Sequence, residues 1–230
     1  MNQPAARDID HALTLPNDQA LSQFQAWAMA GVPEAQLVLG QMLLDGRGAA
    51  ADAQAGFRWF LKAARAGHPM AMNMVGRCYE NGWGVSADPA IATTWFRGAA
   101  DKGLDWGMYN YATSLALGRG VAEDRQAALG WLRRATALGH AKSMNLLGGF
   151  YEDGWGVEAD LAQARALYQQ AAEGGDFRGW FNLGRFQRAE GDAQGAEVSF
   201  RRARQDATPA FRASMDDYLS GVGAGLRDGT

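Results

Sequence analysis

Few residues in this sequence are of types that could perform chemistry, and they are widely spaced. His68 and His140 each directly follow a glycine and lie far apart in the chain. Such a pair could supply two metal ligands or two catalytic bases. It is also typical of a linker residue that recurs between structural repeats, and repeats two units apart are too distant to share one metal ion. We expect the linker role and no metal site.

A column of aspartates could be taken for a row of catalytic carboxylates. The column consists of Asp52, Asp88, Asp124 and Asp160, each 36 residues after the previous one. Each precedes a stretch of helical periodicity, where a carboxylate accepts the backbone N–H groups of the first turn. The column therefore predicts helix N-caps.

The sequence also lacks the other common catalytic patterns. Cys78 lies beside Tyr79 in a packed stripe with no evident basic partner, so we expect a buried, unreactive thiol. The Gly-X-Gly segments are not followed by the Lys-Ser or Lys-Thr of a phosphate-binding loop. We predict no catalytic residue and no cofactor.

Composition argues against several other classes of function. The 230 residues include 22 Lys and Arg against 25 Asp and Glu, for a net charge of -3. Nucleic-acid binders and polybasic membrane anchors need a clustered cationic surface, which this balance does not favour. A single cysteine permits no internal disulfide. No stretch approaches the ~18 apolar residues of a membrane helix, so we expect a cytoplasmic protein without membrane insertion.

The spacing of the glycines indicates which structural elements position these residues. The chain contains 30 glycines, many at a spacing of 36 residues. The recurring positions are Gly46, Gly82, Gly118 and Gly154; Gly48, Gly84, Gly120 and Gly156; and Gly31, Gly67, Gly103, Gly139 and Gly175. Two further columns are Gly40, Gly76, Ala112, Gly148 and Gly184, and the large residues Phe60, Phe96, Leu132 and Tyr168. The chain is an internal repeat.

Each repeat has the pattern of two amphipathic helices. The first, for example residues 71–80, ends at a Gly-X-Gly loop, and the second begins after Asp88 and ends at Gly103. Two short helices cannot bury their apolar faces alone and must stack on the next pair. The pattern therefore predicts an all-α fold, a right-handed α-α superhelix of about five helix-turn-helix repeats.

The spacing also predicts the organisation of the chain. We expect an N-terminal tail at 1–16, a repeat region at 17–205, a capping helix at 206–220 and a flexible tail at 221–230. The repeat region begins with a half unit at 17–31, followed by units near 35–70, 71–106, 107–142, 143–178 and 179–205. In the fifth unit Asp192 arrives four residues before the period predicts. That unit has therefore lost its long glycine loop.

One unit resembles a known repeat family. The residues Asn145-Leu146-Leu147-Gly148, Tyr151, Gly154-Trp155-Gly156-Val157, Asp160, Tyr168 and Ala171-Ala172 are similar to those of the Sel-one-like repeat family, relatives of tetratricopeptide repeats. The resemblance covers about residues 17–205, and the shortened fifth unit is more like a tetratricopeptide repeat. It implies a scaffold or adaptor that binds other proteins, without naming a partner.

Exposed positions of the first helices are the leading candidates for partner binding, because first helices line the concave face of such a fold. The candidates are Arg77, Trp106, Tyr109, Arg178, Phe181 and Arg185. Aromatic residues interleaved with arginines are typical of binding hot spots, and the arginines favour an acidic or carboxylate-bearing peptide. An alternative is that Trp106 and Phe181 pack between neighbouring repeats.

The glycine loops offer a second candidate surface. Trp83 and Trp155 each lie between two loop glycines, in loops that are two repeat units apart. If exposed, they would form a partner-facing edge; alternatively, each ring folds back on its neighbour.

These patterns together predict a non-enzymatic scaffold that binds a protein or peptide in its concave groove. Two alternatives are open: a dedicated inhibitor or immunity-type protein of one enzyme, and a weak hydrolase. The sequence does not indicate the oligomeric state.

Overall fold

The computed structural model describes residues 4–221, and within them it contains α-helices and no strand. The helices are α1 (Ala6–Leu13), α2 (Asn17–Met29), α3 (Pro33–Asp45), α4 (Ala53–Arg65), α5 (Pro69–Asn81), α6 (Pro89–Asp101), α7 (Asp105–Leu117), α8 (Arg125–Ala137), α9 (Ala141–Asp153), α10 (Leu161–Glu173), α11 (Phe177–Ala189), α12 (Ala193–Asp206) and α13 (Pro209–Leu219). The chain divides into two compact units, and the boundary after Arg134 falls inside α8.

Unit 1, up to Arg134, is built from helical hairpins that repeat as the sequence predicts. The half unit α2 precedes hairpins α3–α4 and α5–α6, and the first helices α3, α5 and α7 begin at positions 33, 69 and 105, 36 residues apart. Each helix from α2 to α6 contacts the next helix along the chain, and α5 also contacts α7. The first helices α5 and α7 therefore pack on each other as well as on second helices, and we call the layer that first helices form the inner layer.

Within a hairpin, a glycine on the first helix lies against an aromatic ring on the second. A Cβ on Gly76 would lie 2.5 Å from the Phe96 ring, so only glycine lets α5 and α6 approach this closely. Gly40 of α3 has the same relation to Phe60 of α4. The glycine column and the large-residue column of the repeat are thus the two partners of one helix–helix contact.

Between hairpins, the second glycine of each loop lies against the start of an earlier second helix. Gly84 has φ +69, and a Cβ there would overlap the carbonyl oxygen of Ala53. Gly48 and Gly120 lie in the same way against Asn17 and Pro89. The loop is therefore a backbone-to-backbone contact that positions one hairpin on the previous one.

Unit 2, from Ala135 onward, contains hairpins α9–α10 and α11–α12 and the capping helix α13. The connection between α11 and α12 is only three residues long, and Asp192 caps α12 by accepting the N–H of Gly195. The predicted loss of the glycine loop is confirmed. A cluster of Phe181, Phe200, Phe211 and Met215 packs α11 and α12 against α13.

The ends of the chain differ from the prediction at one place. Residues 6–13, expected within a tail, form α1, because Ile9 and Ala12 pack against the α2–α3 core outside the repeat pattern. The tail expected over 221–230 lies, from residue 222 onward, outside the described residues. In the described part of the chain, no helix has the length and apolar character needed to cross a membrane.

Candidate functional site

The aspartate column serves as helix caps. Each of Asp52, Asp88, Asp124 and Asp160 accepts a backbone N–H from two or three residues further along its helix. The N-cap prediction is confirmed, and each cap contributes about 1 kcal/mol to stability.

The two histidines also begin helices, one in each unit. Nδ1 of His68 accepts the N–H of Ala71 at 3.2 Å, and Nε2 lies 2.6 Å from Oε2 of Glu34. In unit 2, Nδ1 of His140 accepts the N–H of Ser143 at 3.2 Å, and the residue is 7% exposed. Both residues thus cap the first helix of a hairpin, and His68 also contacts the preceding first helix through Glu34. Among residues 4–221, no group of three His, Cys, Asp or Glu side chains could hold a metal ion.

Cys78 is a neutral thiol inside unit 1. It is completely buried in the cluster formed with Phe60 and Val75. Burial raises the pKa of its thiol to about 12, and the charge of Arg77 offsets this only in part. The thiolate that nucleophilic chemistry needs is therefore scarce at neutral pH.

Unit 1 exposes an aromatic residue on its inner layer. Trp106, on the first turn of α7, is 37% exposed, which makes it the most exposed aromatic residue among those described. The Tyr109 ring meets it edge-on, with ring centroids 6.4 Å apart. The Trp106 side chain is therefore only partly covered by its neighbours.

Arg77 lies on α5, the first helix that precedes α7, and on the helix face that corresponds to the one carrying Trp106. Trp106 occupies on α7 the repeat position that Met70 occupies on α5, and Arg77 follows Met70 by seven residues, two helical turns. Arg77 is exposed, and α5 and α7 are in contact. We call Arg77, Trp106 and Tyr109 the Trp106 face.

In unit 2 the predicted arginines are held by neighbouring side chains. Arg178 lies over the rings of Phe177 and Phe211, 4.7 and 5.5 Å from their centroids. Arg185 donates to Glu152 at 2.7 Å and to Asn182 at 2.9 Å. Burial by itself would lower the pKa of Arg185, but the hydrogen bond and charge of Glu152 raise it above its ordinary value. Arg185 is therefore a fixed positive charge.

The prediction that Phe181 lines a binding face is wrong. It is 2% exposed, and its ring packs against those of Phe200, Phe211 and Tyr218 at centroid distances of 5.7, 5.4 and 5.3 Å. The helix that carries it contacts α9, α10 and α12, so little of its circumference faces solvent. Asn73, Ala116 and Asn145, on other first helices, are buried as well.

The loop tryptophans fold back onto their own units. Trp83 packs partly buried against the cluster around Phe60, with the guanidinium of Arg77 4.9 Å from its ring centroid. Trp155 is partly buried and meets Phe150 edge-on at 5.6 Å. The two rings therefore form no exposed edge, and Trp83 supports the Trp106 face through Arg77.

Two polar features were missed by sequence reasoning. Amide pairs join adjacent first helices: Asn110 donates to Asn73 at 2.8 Å in unit 1, and Asn182 donates to Asn145 at 2.9 Å in unit 2. In unit 2, Glu152 also accepts a hydrogen bond from the Tyr168 hydroxyl at 2.7 Å, beside Arg185. The recurrence of these asparagines in every second repeat was the signal that could have revealed the amide pairs.

Comparison with known proteins supports the repeat assignment. The Sel1 repeat model matches residues 33–68, 69–104, 107–140 and 141–176. A Sel1 repeat protein from Oxalobacter formigenes is 29% identical, with a TM-score of 0.81 over 94% of this chain and 91% of that one. A protective antigen with this repeat fold from uropathogenic Escherichia coli is 27% identical, with a TM-score of 0.71 over 89% of this chain and 44% of that one.

A more distant structure extends the comparison. An immunity protein from Pseudomonas aeruginosa is 20% identical, with a TM-score of 0.60 over 86% of this chain and 80% of that one. No curated protein matches the chain. The similarities confirm the predicted fold class, an all-α protein of helix-turn-helix repeats.

Proposed function

The chain belongs to the Sel1 repeat family, and from this premise we propose that it is a non-enzymatic scaffold that binds a partner protein on the Trp106 face. Proteins of this family generally mediate protein–protein interactions. The observation that carries the proposal is the exposure of Trp106 on an inner-layer helix that is otherwise largely enclosed. A large aromatic side chain left in water at such a position favours a partner that covers it.

The composition of the face supports a binding role. Trp, Tyr and Arg are the residue types most enriched in interface hot spots, and the Trp106 face contains one of each. The neighbouring helices are held together by the Asn73–Asn110 amide pair. A face that is already rigid loses little conformational entropy when a partner docks.

The charge of the face favours an acidic segment of the partner. Arg77 is exposed and lies over the Trp83 ring, so its guanidinium is positioned and accessible. A partner carboxylate can form a charge-assisted hydrogen bond to it. In unit 2, Arg185 is already paired with Glu152, and Arg178 is partly exposed over two aromatic rings. We therefore expect Arg77 to contribute more to binding than Arg185.

Substitution of Trp106 tests the face directly. We expect Trp106→Ala to reduce capture of the main partner from host lysate at least about tenfold, as removal of a hot-spot residue does. Trp59→Ala is the matched control, because Trp59 is a partly buried tryptophan on the second helix α4. Quantitative mass spectrometry measures capture, and circular dichroism confirms folding. Equal capture by both folded variants would contradict the proposal.

A charge reversal tests the partner's chemistry. We expect Arg77→Glu to weaken capture more than Arg97→Glu, because Arg97 is an exposed arginine on the second helix α6 outside the face. The difference should shrink at high salt, since salt screens exposed charges. If the two charge reversals weaken capture equally, the partner does not bind Arg77 through an acidic segment.

Partner stoichiometry separates the scaffold from the dedicated inhibitor. The immunity protein from Pseudomonas aeruginosa shares this fold, and at its identity the likeness concerns the fold alone. A scaffold co-purifies with several partners, whereas an inhibitor co-purifies with one enzyme in a fixed ratio. A weak hydrolase would instead show turnover in the purified chain, with no partner present.

A further inference from the structure

A cavity recurs at the same position of the repeat in both units, and it is larger where the hairpin loop is short. The cavity in unit 1 has a volume of about 270 Å³ and the one in unit 2 about 600 Å³. Four lining residues of the first have counterparts two repeats later in the second: Glu80 and Glu152, Pro89 and Leu161, Thr93 and Arg165, Ser114 and Phe186. The two cavities are therefore equivalent sites.

In unit 1 the loop that follows α7 covers the start of α6. The hydroxyl of Thr93 donates to the backbone carbonyl of Arg119 at 2.8 Å. Gly120 lies so close to α6 that a Cβ would overlap the carbonyl of Pro89. Arg119 and Gly120 line the cavity, so the seated loop is what keeps it small.

In unit 2 the equivalent loop is missing. Helix α11 ends at Ala189, and α12 begins four residues later at Ala193. Leu161, at the start of α10, is 60% exposed. Tyr218 of α13 reaches the cavity wall, yet about 600 Å³ stays open. A surface that is covered by a glycine loop elsewhere in this chain is thus uncovered here.

The polar group at this site suits a backbone segment. Arg165 occupies the position of Thr93, the residue that holds the loop carbonyl in unit 1. Its Nε donates to Glu190 at 3.3 Å, and its side chain is 37% exposed. A guanidinium carries several further N–H donors, so Arg165 can hold Glu190 and also bind an incoming carbonyl oxygen. Its positive charge complements the negative end of that carbonyl dipole.

We propose that the cavity at the start of α10 is a docking site for a glycine-containing loop of a partner protein. The loop would lie on α10 as residues 118–121 lie on α6, with a carbonyl oxygen on Arg165 and a small apolar residue on Leu161. Three of the four Gly-X-Gly loops in a second copy are already seated on helices of their own chain, at Gly48, Gly84 and Gly120, which favours a different protein as the source of the loop. The site shares with the proposed function only the assumption of a protein partner, because it lies in unit 2 and the Trp106 face lies in unit 1.

A peptide with the sequence of residues 117–124, Leu-Gly-Arg-Gly-Val-Ala-Glu-Asp, tests the site on the full chain. We expect saturable NMR shifts at Leu161 and Arg165, and at least about tenfold weaker binding to Arg165→Ala, since a hydrogen bond from a charged donor is lost. The same peptide with both glycines replaced by alanine should not bind. Absence of saturable shifts at these two residues would overturn the proposal.

A variant that carries a grafted loop provides a second test of the site. Replacing residues 190–192 with residues 118–124 adds the four missing residues and should fill the cavity, so the graft should no longer bind the peptide. Peptide binding that survives in a folded graft contradicts the proposal. Self-association of the natural chain that the graft abolishes would assign the site to a second copy and also overturn it. Trp106→Ala should leave peptide binding unchanged, which separates failure here from failure at the Trp106 face.

Discussion

Hairpin α5–α6 of unit 1 and hairpin α11–α12 of unit 2 are built on the same internal contact. In the first, Gly76 lies under the Phe96 ring, and in the second, Gly184 lies under the Phe200 ring. A Cβ at either glycine would come within 2.5 or 2.7 Å of the ring. The glycine–aromatic contact is therefore the same in these two hairpins, although they lie in different units.

The two hairpins differ in how they attach to their neighbours. The α5–α6 hairpin lies on α4 through its loop, where Gly84 lies against the backbone of Ala53. The α11–α12 hairpin lacks that loop and packs instead against α13 through Phe181 and its aromatic neighbours. The α11–α12 hairpin still approaches the preceding helix α10 closely, since a Cβ on Gly179 would lie 2.6 Å from the backbone nitrogen of Ala172. The difference therefore concerns the loop contact, which α5–α6 has, and the aromatic packing on α13, which α11–α12 has.

The largest expected effect is at the side-chain attachment. Phe181→Ala should lower the free energy of unfolding by about 3–5 kcal/mol, because it leaves a cavity where three rings now meet. Chemical denaturation followed by circular dichroism measures the loss. Arg178→Ala, on the same helix, is the control and should cost far less. A loss below about 1 kcal/mol for Phe181→Ala would show that the cluster does not hold the hairpin.

The backbone attachment is tested with two glycines of similar conformation. Gly84 and Gly103 have φ of +69 and +87, but a Cβ at Gly103 would meet nothing within 4 Å. Both alanine variants bear the cost of a left-handed backbone, about 1–2 kcal/mol. Gly84→Ala should cost about 1–3 kcal/mol more, because its Cβ overlaps Ala53. Equal losses in denaturant titrations would argue against an attachment through the loop.

The shared contact is tested by a paired substitution. The third repeat has Ala112 and Leu132 where the others have glycine and an aromatic residue. Gly76→Ala should therefore destabilise the protein by about 1–3 kcal/mol through overpacking. Adding Phe96→Leu should recover part of that loss. A double-mutant cycle measures the coupling, and strictly additive losses would contradict the pairing.

The smallest effect concerns pH and depends on the burial of Cys78 between α5 and α4. The folded thiol of Cys78 has its pKa raised to about 12, whereas the ordinary value is 9.0. As pH rises above 9.0, the unfolded chain loses this proton and the folded chain retains it, so the free energy of unfolding falls until about pH 12. Cys78→Ala should flatten that slope in denaturation curves at pH 8 and 10. An unchanged slope would mean that other groups cause it.

Much of the fold was predictable because its signals are local. An aspartate before a helix and a glycine after it act on neighbouring backbone groups, so Asp88 and Gly82 mark helix ends without knowledge of tertiary contacts. The shortened fifth hairpin was predictable for the same reason, from the early arrival of Asp192.

The candidate site was less predictable because exposure depends on distant segments. Trp106 and Phe181 lie close to the same stripe of the repeat, yet Phe181 is covered by α13, a helix outside the repeat pattern. Helix α1 was missed since its packing on α2 also lies outside that pattern. The position of a residue in the repeat predicts the direction of its side chain. It does not predict whether a segment outside the repeat pattern covers that side chain.

The asparagine pairs have a consequence for how such a chain can grow. Asn73 lies on the first helix of an even-numbered hairpin and accepts from Asn110 in the hairpin that follows, and the same order holds for Asn145 and Asn182. Inserting a single hairpin between the members of a pair would separate each amide from its complement. Each amide pair therefore links two consecutive hairpins of this chain, and a designed extension should keep the pairs intact when hairpins are added two at a time.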